Sequence, residues 1–169
     1  MIMETTVYSN IKLIVLDVDG VFTDGKKVYS LSGDVVYKTF YDKDFTALNK
    51  LRKYFNIIIL SGDDRVNKVL FKSKGIPFYH SKNKDKKKLI KVILNKYNVG
   101  PDNCIFVGDD LPDLPCFRLI PISLCPSDSV KEIKYLAYKV LKTKGGNGVI
   151  VELYNELSEE IMLRRKYGE

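Results

Sequence analysis

The sequence predicts a doubly wound α/β domain built on a mainly parallel sheet. Three observations carry the prediction: short apolar runs that stop at Gly, Ser or Asp, amphipathic segments between them, and polar residues gathered where the runs end. The first run, residues 11–16, is broken only by Lys12 and ends at Asp17. Residues 27–30 and 35–40 flank Leu31-Ser32-Gly33-Asp34, which predicts a β-hairpin directly after the first strand. Residues 44–55 place Phe45, Leu48, Leu51 and Phe55 on one helical face. A second buried strand, Asn56-Ile57-Ile58-Ile59-Leu60, runs into Ser61-Gly62. Residues 84–97 repeat the helical pattern with Leu89, Ile90, Ile93 and Tyr97, and Cys104-Ile105-Phe106-Val107 then ends at Gly108-Asp109. Shorter helices are expected over 111–119 and 129–136, and a single helix over 149–163 closes the pattern. We therefore expect an amino-terminal extension (1–10), one domain (11–157) and a carboxyl-terminal tail (158–169).

Composition narrows the function classes. The 169 residues, 45% of them hydrophobic, suffice for one buried core. No apolar run approaches the roughly 18–20 residues of a membrane span, so a soluble, cytoplasmic protein is expected. The first ten residues are mostly polar and lack the apolar centre of a signal peptide. Cys104, Cys116 and Cys125 are odd in number and show no CxxC spacing, which points to reduced thiols in a cytosolic setting. A lone histidine, His80, argues against most zinc sites and Ser-His-Asp triads. The net charge of +7 fits either nucleic-acid binding or attraction of a small anionic substrate. The lysines of residues 82–88 read as the solvated start of a helix, and no helix-turn-helix, zinc or RNA-binding signature accompanies them. A nucleic-acid role is thus disfavoured.

Doubly wound sheets place ligands at the carboxyl ends of their strands, where this sequence puts Asp17, Asp19, Ser61 and Asp109. Residues two apart on an extended chain share a side, so Asp17 and Asp19 can face one centre. Paired carboxylates suit a hard divalent cation such as Mg²⁺, and a carboxylate can also attack phosphorus, splitting one displacement into two. A hydroxyl and an ammonium near such a centre supply the alignment and charge neutralisation that phosphoryl transfer needs.

Asp17-Val18-Asp19-Gly20-Val21-Phe22-Thr23-Asp24-Gly25 resembles the first signature of the haloacid dehalogenase superfamily of phosphatases. The other signatures follow in order: Ser61, Lys86 within Lys84-Asp85-Lys86, and Gly108-Asp109-Asp110-Leu111-Pro112-Asp113. The resemblance implies that Asp17 is the nucleophile and Asp19 the acid/base. Ser61 would bind the transferring phosphoryl group and Lys86 would neutralise it. It further implies Mg²⁺ held by the carboxylates of Asp17 and Asp109 and the main-chain carbonyl of Asp19, with Asp110 and Asp113 orienting the shell. About 40 residues lie between Asp19 and Ser61 and some 25 between Ser61 and Lys86, too few in either place for a folded cap domain. The match is therefore to the capless branch, typified by octulosonate 8-phosphate and nonulosonate 9-phosphate phosphatases. It includes Lys38-Thr39-Phe40 and Gly145-Gly146-Asn147-Gly148. Members of that branch are typically tetramers whose subunits cover one another's sites. A homotetramer is expected here, with Phe22, Tyr29, Tyr37 and Phe40 near the hairpin suited to an interface and the tail available to a neighbouring site.

Four positions depart from the octulosonate pattern. Asp63 stands where Arg usually follows Gly62, with Arg65 two residues on; an acidic residue there is closer to the nonulosonate enzymes. Lys43-Asp44-Phe45 replaces Arg-Asp-Gly, and Asn147 replaces a cation. Neither Asp nor Asn can grip a carboxylate as Arg does. Gly62, Lys43, Asp63 and Arg65 are the expected substrate contacts. The expected substrate is a small phosphorylated sugar or sugar acid, with a nucleotide or a non-acidic phosphosugar as the alternative.

Overall fold

The computed structural model describes residues 6–82 and 86–167. Six strands form one parallel sheet: β1 (Leu13–Leu16), β4 (Asn56–Ser61), β5 (Phe78–His80), β6 (Cys104–Val107), β7 (Ile122–Cys125) and β8 (Lys139–Val140). Their order is β5-β4-β1-β6-β7-β8. The chain first builds outward from β1 through β4 to β5, then returns to the other side of β1 for β6. That reversal opens a crevice at the carboxyl ends of β1, β4 and β6. A separate antiparallel pair, β2 (Val28–Tyr29) and β3 (Val35–Tyr37), forms the expected hairpin. No cap domain interrupts the described residues.

Alternation along the strands divides the core in two. Ile14, Leu16, Ile57, Ile59, Ile105 and Val107 face one apolar cluster, shared with α1 (Asp42–Leu51), α2 (Val66–Ser73), α6 (Val149–Glu156) and α7 (Ser158–Tyr167). Leu13, Val15, Ile58, Leu60, Cys104 and Phe106 face the other, covered by α3 (Lys86–Lys96), α4 (Leu114–Leu119) and α5 (Lys131–Leu136). All four residues of β1 are fully buried, as a central strand covered on both faces requires. The three cysteines are free and buried, and burial raises their thiol pKa values. No described helix is long and apolar enough to cross a membrane.

Two expectations are corrected. Residues 149–163 form two helices: α6 ends at Glu156 and α7 begins at Ser158, with Glu159 and Glu160 in its first turn. In α7, Ile161 is buried and Arg164 donates to the carbonyls of Ser9 (3.3 Å), Ile11 (2.7 Å) and Tyr54 (3.1 Å). Thr6 of the amino-terminal extension donates to Glu160 at 2.7 Å. Helix α7 thus seals the amino end of β1, opposite the crevice. Phe22 is no interface residue: it is fully buried, with its ring 5.0 Å from Phe71 and 5.8 Å from Phe45. Phe40 packs on the same group, whereas Tyr29 and Tyr37 stay exposed beside Val28, Leu31 and Val36.

Helix α6 is capped by another helix. Its N-cap is Gly148, which has no side chain to offer, and Asp44 of α1 accepts from the amides of Ile150 (2.9 Å) and Val151 (3.1 Å) instead. Asp44 is fully buried, and that burial pushes its pKa from 3.8 to about 6 against the pull of those amides. Folded protein therefore binds this proton more tightly than unfolded chain. The contribution is fully present below pH 4 and is lost as pH rises through about 6. Asp44→Ala should cost about 1–2 kcal/mol by losing the cap. Asp44→Asn should flatten the difference in urea midpoint between pH 4 and pH 7 relative to wild type; an unchanged pH slope would contradict this account.

Candidate active site

The crevice is a cleft of about 320 Å³, lined by Asp17, Asp19, Ser61, Gly62, Asp63, Lys86, Asp109, Asp110 and Asp113, with Gly25, Lys27 and Pro112. The residues expected at the strand ends thus meet in one place. Asp17 follows β1, its amide donating to the carbonyl of Val107 at 2.9 Å. The chain then turns sharply, with the amides of Val21, Phe22 and Thr23 converging on the carbonyl of Val18. Gly20 permits the turn. Its φ is +82°, and a Cβ there would stand 1.8 Å from Asp109 Oδ2. Gly146 (φ +70°) meets the turn from outside, donating to the carbonyl of Val21 at 3.0 Å, and a Cβ on it would stand 2.5 Å from the Asp24 nitrogen.

Lys86, at the start of α3, is buried between Asp17 (2.8 Å) and Asp113 (2.6 Å). Burial opposes its charge, but the two carboxylates outweigh burial and raise its pKa, so it stays an ammonium. Asp113 spends its second oxygen on the amides of Asp109 (3.0 Å) and Asp110 (3.3 Å), which fixes the Gly108-Asp109-Asp110 turn. Asp110 caps the short helical turn at Leu111–Asp113, accepting from the Leu111 amide at 2.8 Å. Ser61 accepts from Asn67 Nδ2 at 3.1 Å and from the Asp63 amide at 3.2 Å.

Asp17, Asp109 and Asp113 each offer an oxygen within 4.8 Å of the others. Burial pushes Asp17 up to about 7 despite Lys86; burial, then Asp17 and its other acidic neighbours, push Asp109 up to about 8. Among the described residues six carboxylates line the cleft against two lysines, and Asp109 Oδ1 is buried with no hydrogen-bond donor. A donor set of clustered carboxylate oxygens, one of them unpartnered, fits a hard divalent cation. Because Asp113 is already committed on both oxygens, Asp17 and Asp109 are the carboxylates able to hold it.

A model of the haloacid dehalogenase-like hydrolases matches residues 23–153. The chain belongs to that family. The matched span begins after Asp17 and Asp19. This hydrolase is also 28% identical over 155 residues to the 3-deoxy-D-manno-octulosonate 8-phosphate phosphatase KdsC of Haemophilus influenzae, covering 90% of this chain and 83% of that one. The cobalt-bound structure of the Haemophilus influenzae phosphatase superposes with a TM-score of 0.84 at 28% identity, covering 91% of each chain. The corresponding phosphatase of Moraxella catarrhalis, solved with magnesium, phosphate and KDO, gives 0.83 at 25% identity over 90% of this chain and 88% of that one.

Two expected substrate contacts of the hydrolase lie elsewhere. Arg65 is half exposed, reaches Asp34 and Asp63 at 3.7 Å, and lines an apolar groove with Phe40, Val66 and Val69. Lys43 shares a separate depression with Tyr41 and Asn147. Helix α1 carries it away from the cleft, so neither Lys43 nor Asn147 touches the acidic site of its own chain. Phe45 is core. Gly62 and Asp63 do line the cleft.

Sequence reasoning missed three residues around Asp19. Lys38, with no exposed side-chain surface, donates to Asp19 Oδ1 (2.8 Å), Asp19 Oδ2 (3.0 Å), Asp63 Oδ2 (2.9 Å) and Asn67 Oδ1 (3.0 Å). Asn67 joins Ser61 to this network. Lys27 lies 3.2 Å from Asp19 Oδ2 and 3.4 Å from Asp63 Oδ2. Asp63, although partly desolvated, is drawn down to about 2, chiefly by Lys38. The signal for Lys38 was its place in Lys38-Thr39-Phe40; nothing local marked Lys27 or Asn67.

Proposed function

We propose that this hydrolase is a Mg²⁺-dependent phosphatase of a small phosphorylated sugar acid of the octulosonate 8-phosphate type, acting through an aspartyl-phosphate on Asp17. The observation that carries the reading is the pairing of Asp17 with the buried Lys86 beside the donorless oxygen of Asp109. An attacking carboxylate, an ammonium and a cation-ready oxygen then surround one anionic centre. The Haemophilus relative is a 3-deoxy-D-manno-octulosonate 8-phosphate phosphatase, and the Moraxella one was solved with phosphate and KDO, the two parts of such an ester.

In this reading Asp17 attacks phosphorus and the bond to the ester oxygen breaks. Asp19 supplies the proton that the departing oxygen needs. It then takes a proton from water as that water displaces Asp17 and releases inorganic phosphate. Lys86 keeps the nucleophile oriented and balances the equatorial charge, while Ser61 offers its hydroxyl to a phosphoryl oxygen. When bound, Mg²⁺ supplies the positive charge that lets a phosphate dianion approach six carboxylates. Copies of the chain would meet at the exposed apolar face of the hairpin, screening the cleft from water.

Chelation should abolish phosphate release and added Mg²⁺ should restore it. The raised pKa values of Asp17 and Asp109 set the sign of the pH effect: protons and cation compete for the same oxygens. The Mg²⁺ concentration for half-maximal activity should therefore fall as pH rises from 6 to 8. Full activity in the presence of excess EDTA would reject the cation, and a pH-independent Mg²⁺ requirement would reject these ligands.

A further inference from the structure

We propose that Lys27 is a specificity-determining residue, selecting phosphomonoesters whose leaving group carries a second anionic group, a carboxylate above all. The proposal rests on the phosphatase reading of the cleft and adds the group that chooses among its substrates.

Of the two lysines that line the cleft among the described residues, Lys86 is buried and engaged by two carboxylates, so it has nothing left for the distal part of a substrate. Lys38, behind the wall, is closed off from solvent. Lys27 differs from both. Its side chain is a quarter exposed, it stands at the hairpin's entry, and its ammonium rests across Asp19 and Asp63 at the mouth. Its neighbour Lys26 turns outward to Asp24, and Arg65 lines a different groove.

The pairing of Lys27 is redundant. Both carboxylates it touches already receive Lys38 at 2.8–3.0 Å. When Lys27 leaves them, neither is stripped of its counter-charge. Partly exposed ion pairs hold weakly, and a lysine on its flexible four-carbon stem can re-aim. An incoming carboxylate would otherwise meet Asp63 and Asp110 at the cleft and be repelled. Engaging Lys27 turns that repulsion into attraction, and a neutral leaving group gains nothing from the exchange. The positive charge absent at position 63 is thus available from the adjacent Lys27.

The test compares octulosonate 8-phosphate with the matched ester whose carboxylate is reduced to an alcohol. Wild type should favour the acidic ester in kcat/KM. Lys27→Met should cut that preference about ten-fold through KM, whereas Lys27→Arg should retain it. An unchanged ratio in Lys27→Met, or no preference in wild type, overturns the assignment. Wild type alone gives a second check: rising NaCl should raise KM for the acidic ester more steeply than for the neutral one, and parallel slopes also overturn it. Wild type that releases phosphate from neither ester sinks the phosphatase reading itself.

Discussion

Asp17→Asn is expected to lower phosphate release by about 10⁴-fold or more, because in the proposed mechanism it removes the atom that attacks. The amide keeps the shape of the carboxylate, so the turn at Gly20 and the seat of Lys86 persist. Stability should hold or rise. Burial and Asp113 both disfavour charge at position 17, and the neutral side chain is relieved of that cost while Lys86 keeps Asp113 at 2.6 Å. Thermal melting alongside a phosphate-release assay separates the two effects. Wild-type turnover in this variant would remove Asp17 from the nucleophile's role, and a collapsed melting temperature would mean that the charge is structural.

Lys38→Met is the second large effect, and it falls on stability and rate together. The fully buried ammonium holds Asp19 through both oxygens and also binds Asp63 and Asn67. Without it, two carboxylates share only the partly exposed Lys27. Removing one partner of a buried ion network costs about 3–5 kcal/mol. Turnover should fall by about 10²-fold as Asp19 loses its orientation. The double variant Lys38→Met/Asp63→Asn distinguishes the contributions: it should recover part of the urea midpoint without recovering turnover. A single variant within about 1 kcal/mol of wild type, the worth of an exposed pair, would show that Lys27 alone suffices.

These two residues mark what the sequence could and could not disclose. Strands β1, β4 and β6 were legible because burial on both faces writes an unbroken apolar run, and each ends on a residue the site uses. Strand β7 was hidden between Pro121 and Pro126 with Ser123 inside it, while β5 and β8 are three and two residues long. Such segments are fixed by the sheet they join rather than by their own pattern. The helix expected over 149–163 kept its apolar spacing across Leu157, so periodicity could not show the restart at Ser158. In the site, Asp17, Ser61 and Asp109 were readable from their place at strand ends and Lys86 and Asp113 from the resemblance to the family's motifs, and all five line the cleft. Lys38 was not, because a lysine in a hairpin strand ordinarily faces water, and only the tertiary placement of Asp19 and Asp63 explains its burial. Arg65 and Lys43 differ the other way: their charges fit an anion, but loop and helix direct them to surfaces outside the cleft.

The contact between Gly146 and the turn after Asp17 has a consequence for how the enzyme comes into being. Val21 leans on an amide 125 positions further along the chain, and Gly145 is in turn tethered to Asp128 at 2.9 Å. During synthesis the turn after Asp17 leaves the ribosome well before the glycine segment that shapes it. The central strands can pair well before then. The cleft therefore takes its final shape only when the glycine segment docks, and until that moment Asp17 stands before a turn that lacks its outer support.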